Sequence, residues 1–155
     1  MFKFVGIENF SKGLKSYFNK YQWKNTEFDD FIKEMVESTG NQNLSNLCDN
    51  WLKKSGLTEV SAEWDSDENN NIKSLRIKQQ ACLEAHNNLQ THLCDTLFLY
   101  KDGIKFIIEN VLINPTEVTE INNFVSIKSP DAVIVNYNDW SYFKFRKIVK
   151  KLFIK

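Results

Sequence analysis

The sequence predicts an α+β protein: three N-terminal helices, a small antiparallel β-sandwich of about seven strands, and a short C-terminal amphipathic helix. Three observations carry this. Apolar residues recur at steps of three and four up to Gly56, the period then shifts toward two in short runs bounded by Asn, Asp, Gly and Pro, and a basic run closes the chain. The corresponding divisions are a helical segment 1–56, a sandwich 57–143 and a basic tail 144–155.

In the first helix Ile7, Phe10, Leu14, Phe18 and Tyr21 fall on one face. Thr26 stands where an N-cap belongs, with Asp29 three residues on as in a capping box, and Phe28, Phe31, Ile32, Met35 and Val36 form the second stripe, closed by Gly40. A third stripe, Leu44, Leu47, Cys48, Trp51 and Leu52, stops at Gly56, where a left-handed cap is easiest for glycine. The predicted strands are 57–64, 72–79, 91–100, 104–110, a weaker run at 118–127, 132–136 and 141–145. Asp65 to Asn71 and Lys101-Asp102-Gly103 read as hairpin turns.

The last twelve residues carry six basic and no acidic side chains, while Phe145, Ile148, Val149, Leu152 and Phe153 keep helical spacing. With Lys147, Lys150 and Lys151 they form the candidate partner-binding surface. An amphipathic basic helix can fold back on its own core, dock on a protein, or lie on a membrane surface.

With 155 residues, 42% hydrophobic and 26% charged, the chain can bury one ordinary core or two small ones. Twenty acidic and twenty basic residues cancel, so no net field draws it to nucleic acid, and the four tryptophans lack interleaved basic residues except near Trp140. No window reaches the roughly 18 apolar residues of a membrane span, and the first residues lack a signal-peptide pattern. Three cysteines, Cys48, Cys82 and Cys94, fit a reducing compartment without disulfides, so an intracellular, cytoplasmic protein is expected.

Catalytic chemistry finds no set of residues. The two histidines, His86 and His92, are six apart, whereas a zinc-peptidase helix needs His-Glu-x-x-His to place both imidazoles on one face. Cys82, His86, His92 and Cys94 crowd into thirteen residues, but in no recurring zinc spacing. Cys48 lies on an apolar stripe, not beside a base. Asp65, Asp67 and Glu68 lack the alternating ligands and closing Glu of a calcium loop, and the five glycines stand singly, so no phosphate loop occurs. No catalytic residue, metal ligand or cofactor is assigned.

Several runs nevertheless carry a family pattern. Gly6, Phe10, Gly13-Leu14 and Tyr17-Phe18 match a "G-x-x-x-F-x-x-G-L-x-x-Y-(F/L)" helix; Asn25-Thr26 and Asp30-Phe31 match the step that follows; Gly40, Leu44, Trp51 and Gly56-Leu57 match an "S-G-x-x-L … W-x-x-x-x-G" ending, with Thr58 where proline is usual. Further on, Gln79-Gln80, His92 and Leu97 to Tyr100 look like a "Q … H-x-(L/I)-x-(I/V)-x-(L/I)-Y" strand pair, and Val133 to Asn136, Asp139 and Tyr142 like a closing pair. In this order the runs resemble the aminopeptidase-N-type zinc metallopeptidases, over the end of the catalytic domain and the β-sandwich after it, about residues 4–146.

That resemblance implies the fold and a structural role for Phe31, Trp51, Gly56 and Tyr142. It also implies that the family's zinc ligands, amine-recognition motif and catalytic Tyr lie upstream of the matched segment, so none maps to a position here. The expectation is a non-catalytic, aminopeptidase-like structural or interaction module of a larger protein assembly. The rival is the rear part of a split or truncated zinc aminopeptidase whose active site is on another chain.

Overall fold

The computed structural model describes residues 2–122 and 127–146 and the backbone of 148 and 149. The chain divides into two compact units, Met1–Ser55 and Gly56–Lys155. Helices come first and strands after, as the change of period predicts.

The helical unit contains α1 (Phe2–Val5), α2 (Ile7–Tyr21), α3 (Phe28–Thr39) and α4 (Asn43–Cys48), which runs into one wide π turn at Asp49–Lys53. Its core gathers Ile32, Met35, Leu44, Leu47 and Cys48, with Phe10, Phe31 and Trp51 packed against them. The expected α2 stripe is out of phase at its ends: Ile7 and Phe18 are 63% and 64% exposed, and Gly13 is buried instead. The reason is steric. A Cβ at Gly13 would lie 2.3 Å from the Met35 sulfur, so glycine lets α2 and α3 approach and turns its own side of the helix inward.

The α3 cap also sits one residue later than expected. Glu27, not Thr26, occupies the N-cap, in a reciprocal box with Asp30, whose carboxylate accepts the Glu27 N–H at 3.0 Å. The Thr26 hydroxyl is 2.5 Å from that of Tyr17. At the other end the Gly40 N–H donates to the Val36 carbonyl, closing α3 as expected. The π turn replaces the end of the third predicted helix. One extra residue per turn breaks the i, i+4 register, leaving Trp51 on the core while Leu52 is 61% exposed.

The second unit holds β1 (Thr58–Ser66), β2 (Ile72–Ala81), β3 (His92–Leu99), β4 (Lys105–Ile113), β5 (Val118–Glu120), β6 (Ala132–Val135), β7 (Lys144–Arg146) and β8 (Ile148–Val149). They form two four-stranded sheets, in the orders β5-β2-β1-β7 and β4-β3-β6-β8. Strict alternation along β1 buries Thr58, Val60, Ala62 and Trp64 and turns Glu59, Ser61 and Glu63 outward. Val60 and Ile77 of one sheet share a single cluster with Phe98, Ile113 and Val133 of the other.

Two corrections to the expectation arise at the C-terminal end. The first sheet is mixed, because β7 pairs parallel with β1 through Glu59↔Lys144, Val60↔Phe145 and Ser61↔Arg146. The predicted amphipathic helix is not formed at 144–146 or at 148 and 149, where β7 and β8 add to the two sheets, β8 pairing with Ala132 and Val133. Phe145, Ile148 and Val149 satisfy a helical stripe, but aromatic and β-branched residues equally suit strands. The edge of β1 gives Phe145 a place against the sandwich core and brings Lys144 to 2.7 Å from Glu59. Lys147, Lys150, Lys151, Leu152 and Phe153 lie outside the described residues.

Candidate functional site

The polar residues of the strand motifs are pinned into the sandwich. Gln79, 2% exposed at the end of β2, donates from its amide to the carbonyls of Gln90 (2.9 Å) and Asn114 (3.1 Å) and accepts the Gln90 N–H at 2.8 Å, clamping two connections at once. Tyr100 donates its hydroxyl to the Lys128 carbonyl at 2.8 Å. Asn136, at φ 65°, holds a loop shut: its amide donates to the Ser141 carbonyl at 2.6 Å and its oxygen accepts the Ser141 N–H at 3.0 Å. An asparagine tolerates this left-handed geometry better than most side chains.

His92 is fully buried at the start of β3, with Nε2 3.2 Å from the Thr58 hydroxyl and its ring edge-on to Phe143 at 4.7 Å. Burial, which disfavours the imidazolium, holds its pKa down at about 4. It is a neutral ring at physiological pH and part of the core packing. His86 lies on a short 3-10 turn, Glu84–His86. Among the described residues no three His, Cys, Asp or Glu side chains converge as metal ligands. Cys94 is buried and Cys82 exposed.

The acidic turn is built for folding. Asp67 accepts the backbone N–H groups of Asn69 (3.0 Å) and Asn71 (2.7 Å), tying the β1–β2 hairpin, and Asp65 takes Arg76 and Ser74, each at 2.8 Å. A groove of about 900 Å³ lies on the outer face of the first sheet, between Glu59, Glu63, Lys78, Gln80 and Arg146. Two of its carboxylates are paired, Glu63 with Lys78 at 2.8 Å and Glu59 with Lys144 at 2.7 Å.

Two buried carboxylates escaped the sequence reading. Asp95, 3% exposed, accepts the Asn110 N–H (3.0 Å), the Asn138 amide (2.9 Å) and the Trp140 indole N–H (3.0 Å), and so fastens the loop after β6 to β3 and to the bulge that β4 makes opposite it. Glu34, 5% exposed on α3, receives Lys20 at 2.5 Å and the Ser16 hydroxyl at 2.6 Å from α2. Those two bonds, Lys20 first, hold its carboxyl below the usual range. The available signal was a lone acid within an apolar stretch, Leu93 to Leu99 for Asp95 and Phe31 to Val36 for Glu34.

The remaining expected residues scatter. Phe31 packs edge-on against Tyr17 at 5.2 Å and Trp51 is half-buried on the same core. Gly56 has φ 124°, and a Cβ there would meet the His86 carbonyl oxygen at 3.0 Å, so a larger residue would strain both backbone and packing. Tyr142, expected to be structural, is 76% exposed, and its neighbour Phe143 makes the inward contact with His92. Of the expected partner surface, Phe145 is turned toward the sandwich core. The exposed apolar area of the helical unit lies elsewhere, at Ile7, Phe18, Leu52 and Trp23, the last 95% exposed and held at φ 63°.

Comparison with known proteins supports the resemblance seen in the motifs. Residues 1–51 match the Peptidase family M1 domain. Aminopeptidase N of Streptomyces lividans is 25% identical over 151 residues, 92% of this chain and 18% of that protein. Aminopeptidase N of Lactococcus lactis subsp. lactis is 41% identical over 61 residues, 39% of this chain and 7% of that one. In fold, the crystal structure of Legionella pneumophila aminopeptidase A in complex with aspartic acid matches with a TM-score of 0.72 at 16% identity, over 97% of this chain and 17% of that one. The chain thus spans less than one fifth of the length of each of these proteins. The match over residues 1–51 and the two sequence relatives support an aminopeptidase-N-type family segment, and the structural likeness shows the same fold.

Proposed function

We propose that these 155 residues act as a non-catalytic, aminopeptidase-like structural module within a larger protein assembly, hydrolysing no peptide on their own. The observation that carries this reading is the fate of the histidines. A zinc peptidase needs paired imidazoles on one helix face, whereas of the two histidines here His92 is a buried neutral ring between Thr58 and Phe143 and His86 stands on a separate turn. The other motif residues, Gln79, Tyr100 and Asn136, are committed to closing loops.

The partner side is the helical unit. Ile7, Phe18, Trp23 and Leu52 leave apolar side chains in water where a partner would cover them, and a tryptophan held in a left-handed conformation at 95% exposure contributes nothing to its own core. Two buried cysteines and no disulfide suit an assembly inside the cell. The rival, a split zinc aminopeptidase, draws on the match of residues 1–51 to the peptidase domain.

Affinity purification of the tagged full chain, followed by identification of the bound polypeptides, tests both. A stoichiometric partner without His-Glu-x-x-His, lost on Trp23→Asp with Phe18→Asp, supports the structural reading. A partner carrying that motif, whose peptidase activity depends on this chain, overturns it in favour of the split enzyme. Absence of any stoichiometric partner refutes both.

A further inference from the structure

The edge strand β4 carries a pattern that fits another copy of itself. Among the described residues β4 is paired on one side only, with β3, and Ile104, Phe106 and Ile107 along it are 60%, 43% and 41% exposed. Soluble proteins usually protect such an edge, since its unpaired N–H and C=O groups offer a template for another strand.

The direction of those groups follows from the β3–β4 register. The Tyr100 N–H donates to the Ile104 carbonyl at 3.2 Å, and the strands continue as Leu99↔Lys105, Phe98↔Phe106, Leu97↔Ile107 and Thr96↔Ile108. In an antiparallel ladder, hydrogen-bonded pairs alternate with non-bonded ones. Ile104, Phe106 and Ile108 therefore point their backbone groups at β3. Lys105, Ile107 and Glu109 point theirs away from it, to the open edge.

The side chains divide with the same parity. Ile108 packs on the sandwich core and the Phe106 ring stacks at 6.1 Å on buried Phe98, so these two lie on the inner face. Lys105, Ile107 and Glu109 share the outer face, in a row where Ile107 is beside Leu97 and Leu97 beside Ile134. The side chains of Lys105 and Glu109 make no ion pair or hydrogen bond among the described residues. Past Ile108 the regular ladder stops: Glu109 and Asn110, the latter at φ 57°, form a bulge opposite Asp95.

We propose that two copies of this chain pair through β4, antiparallel, about a two-fold axis at Ile107, joining the two β4-β3-β6-β8 sheets into one of eight strands. Only an odd-numbered centre matches the outward backbone groups, and of the two such residues in the regular ladder, Lys105 and Ile107, only Ile107 places an apolar side chain on the axis. In that register Ile107 meets its own copy. Lys105 of each chain opposes Glu109 of the other, and Phe106 opposes Ile108, so opposite charges flank an apolar pair outside while the inner apolar row continues across the axis. The register is self-complementary in backbone direction, charge and hydrophobicity at once. It is independent of the functional reading above.

The test is sedimentation equilibrium of the full chain from micromolar to millimolar concentration, with thermal midpoints as a check on folding. The expected result is a reversible shift toward twice the monomer mass. Lys105→Glu or Glu109→Lys alone places like charges opposite each other twice per dimer and should weaken association by about tenfold or more. The double swap, Lys105→Glu with Glu109→Lys, should restore it, and Ile107→Lys should abolish it, all with unchanged midpoints because these side chains face solvent. A chain monomeric throughout, or a dimer indifferent to the single reversals, or one not restored by the double swap, overturns the proposal. Should a charge variant lose stability, Ile107→Lys alone decides between dimer and monomer.

Discussion

Acidification between the ordinary histidine value of 6.5 and about 4 should weaken the sandwich through His92. The unfolded chain takes up a proton on this imidazole as pH falls through 6.5, whereas the folded chain, which buries the ring beside Thr58 and Phe143, resists until about 4. The unfolded state thus binds more protons across that window, and stability must fall as pH falls, levelling off below it. A depression of this size corresponds to roughly 3 kcal/mol, a large share of the stability of a small domain. The lowered carboxyls of Glu34 and Glu59 have the opposite placement: their contribution is present above 4.5 and is lost only below it. Urea titrations at stepped pH, followed by the methyl NMR signals of Val60 and Ile77, isolate the sandwich. Wild type should lose stability across the window, while His92→Gln, less stable throughout, should be flat there. Parallel pH dependences in the two proteins would show that the ring is protonated or hydrated in the folded state and refute the reasoning.

Two further outcomes follow from the packing. Asp95→Ala strands the Asn110, Asn138 and Trp140 donors and should lower sandwich stability by about 3 kcal/mol, read by the same urea titration, with faster amide exchange at Tyr137. Trp51→Ala removes a half-buried indole from the helical core and should cost about 2 kcal/mol in thermal denaturation, less than a fully buried aromatic.

Local chemistry announced most of the elements. The alternation in β1, the Asp67 turn, the Gly40 closure of α3 and the starts of β2, β5 and β6 are set by side chains within a few residues. What remained hidden depends on partners distant in sequence. Nothing within 144–149 distinguishes helix from strand; the decision comes from the edge of β1, more than eighty residues away, where Val60 meets Phe145. The phase of α2 is set by Met35, which needs the space that Gly13 leaves. Asp95 and Glu34 read as interruptions of apolar runs until Trp140 and Lys20 are brought to them. The family motifs were legible as residue types, and only the fold reveals that Gln79 and Asn136 hold loops closed.

The most direct measurement is hydrolysis of aminoacyl amides by the purified 155-residue chain, with and without added zinc. No turnover above that of zinc alone, and no stoichiometric metal uptake, is the result expected of a module whose histidines are given over to folding. Saturable hydrolysis that is abolished by a chelator and by His86→Ala would contradict it.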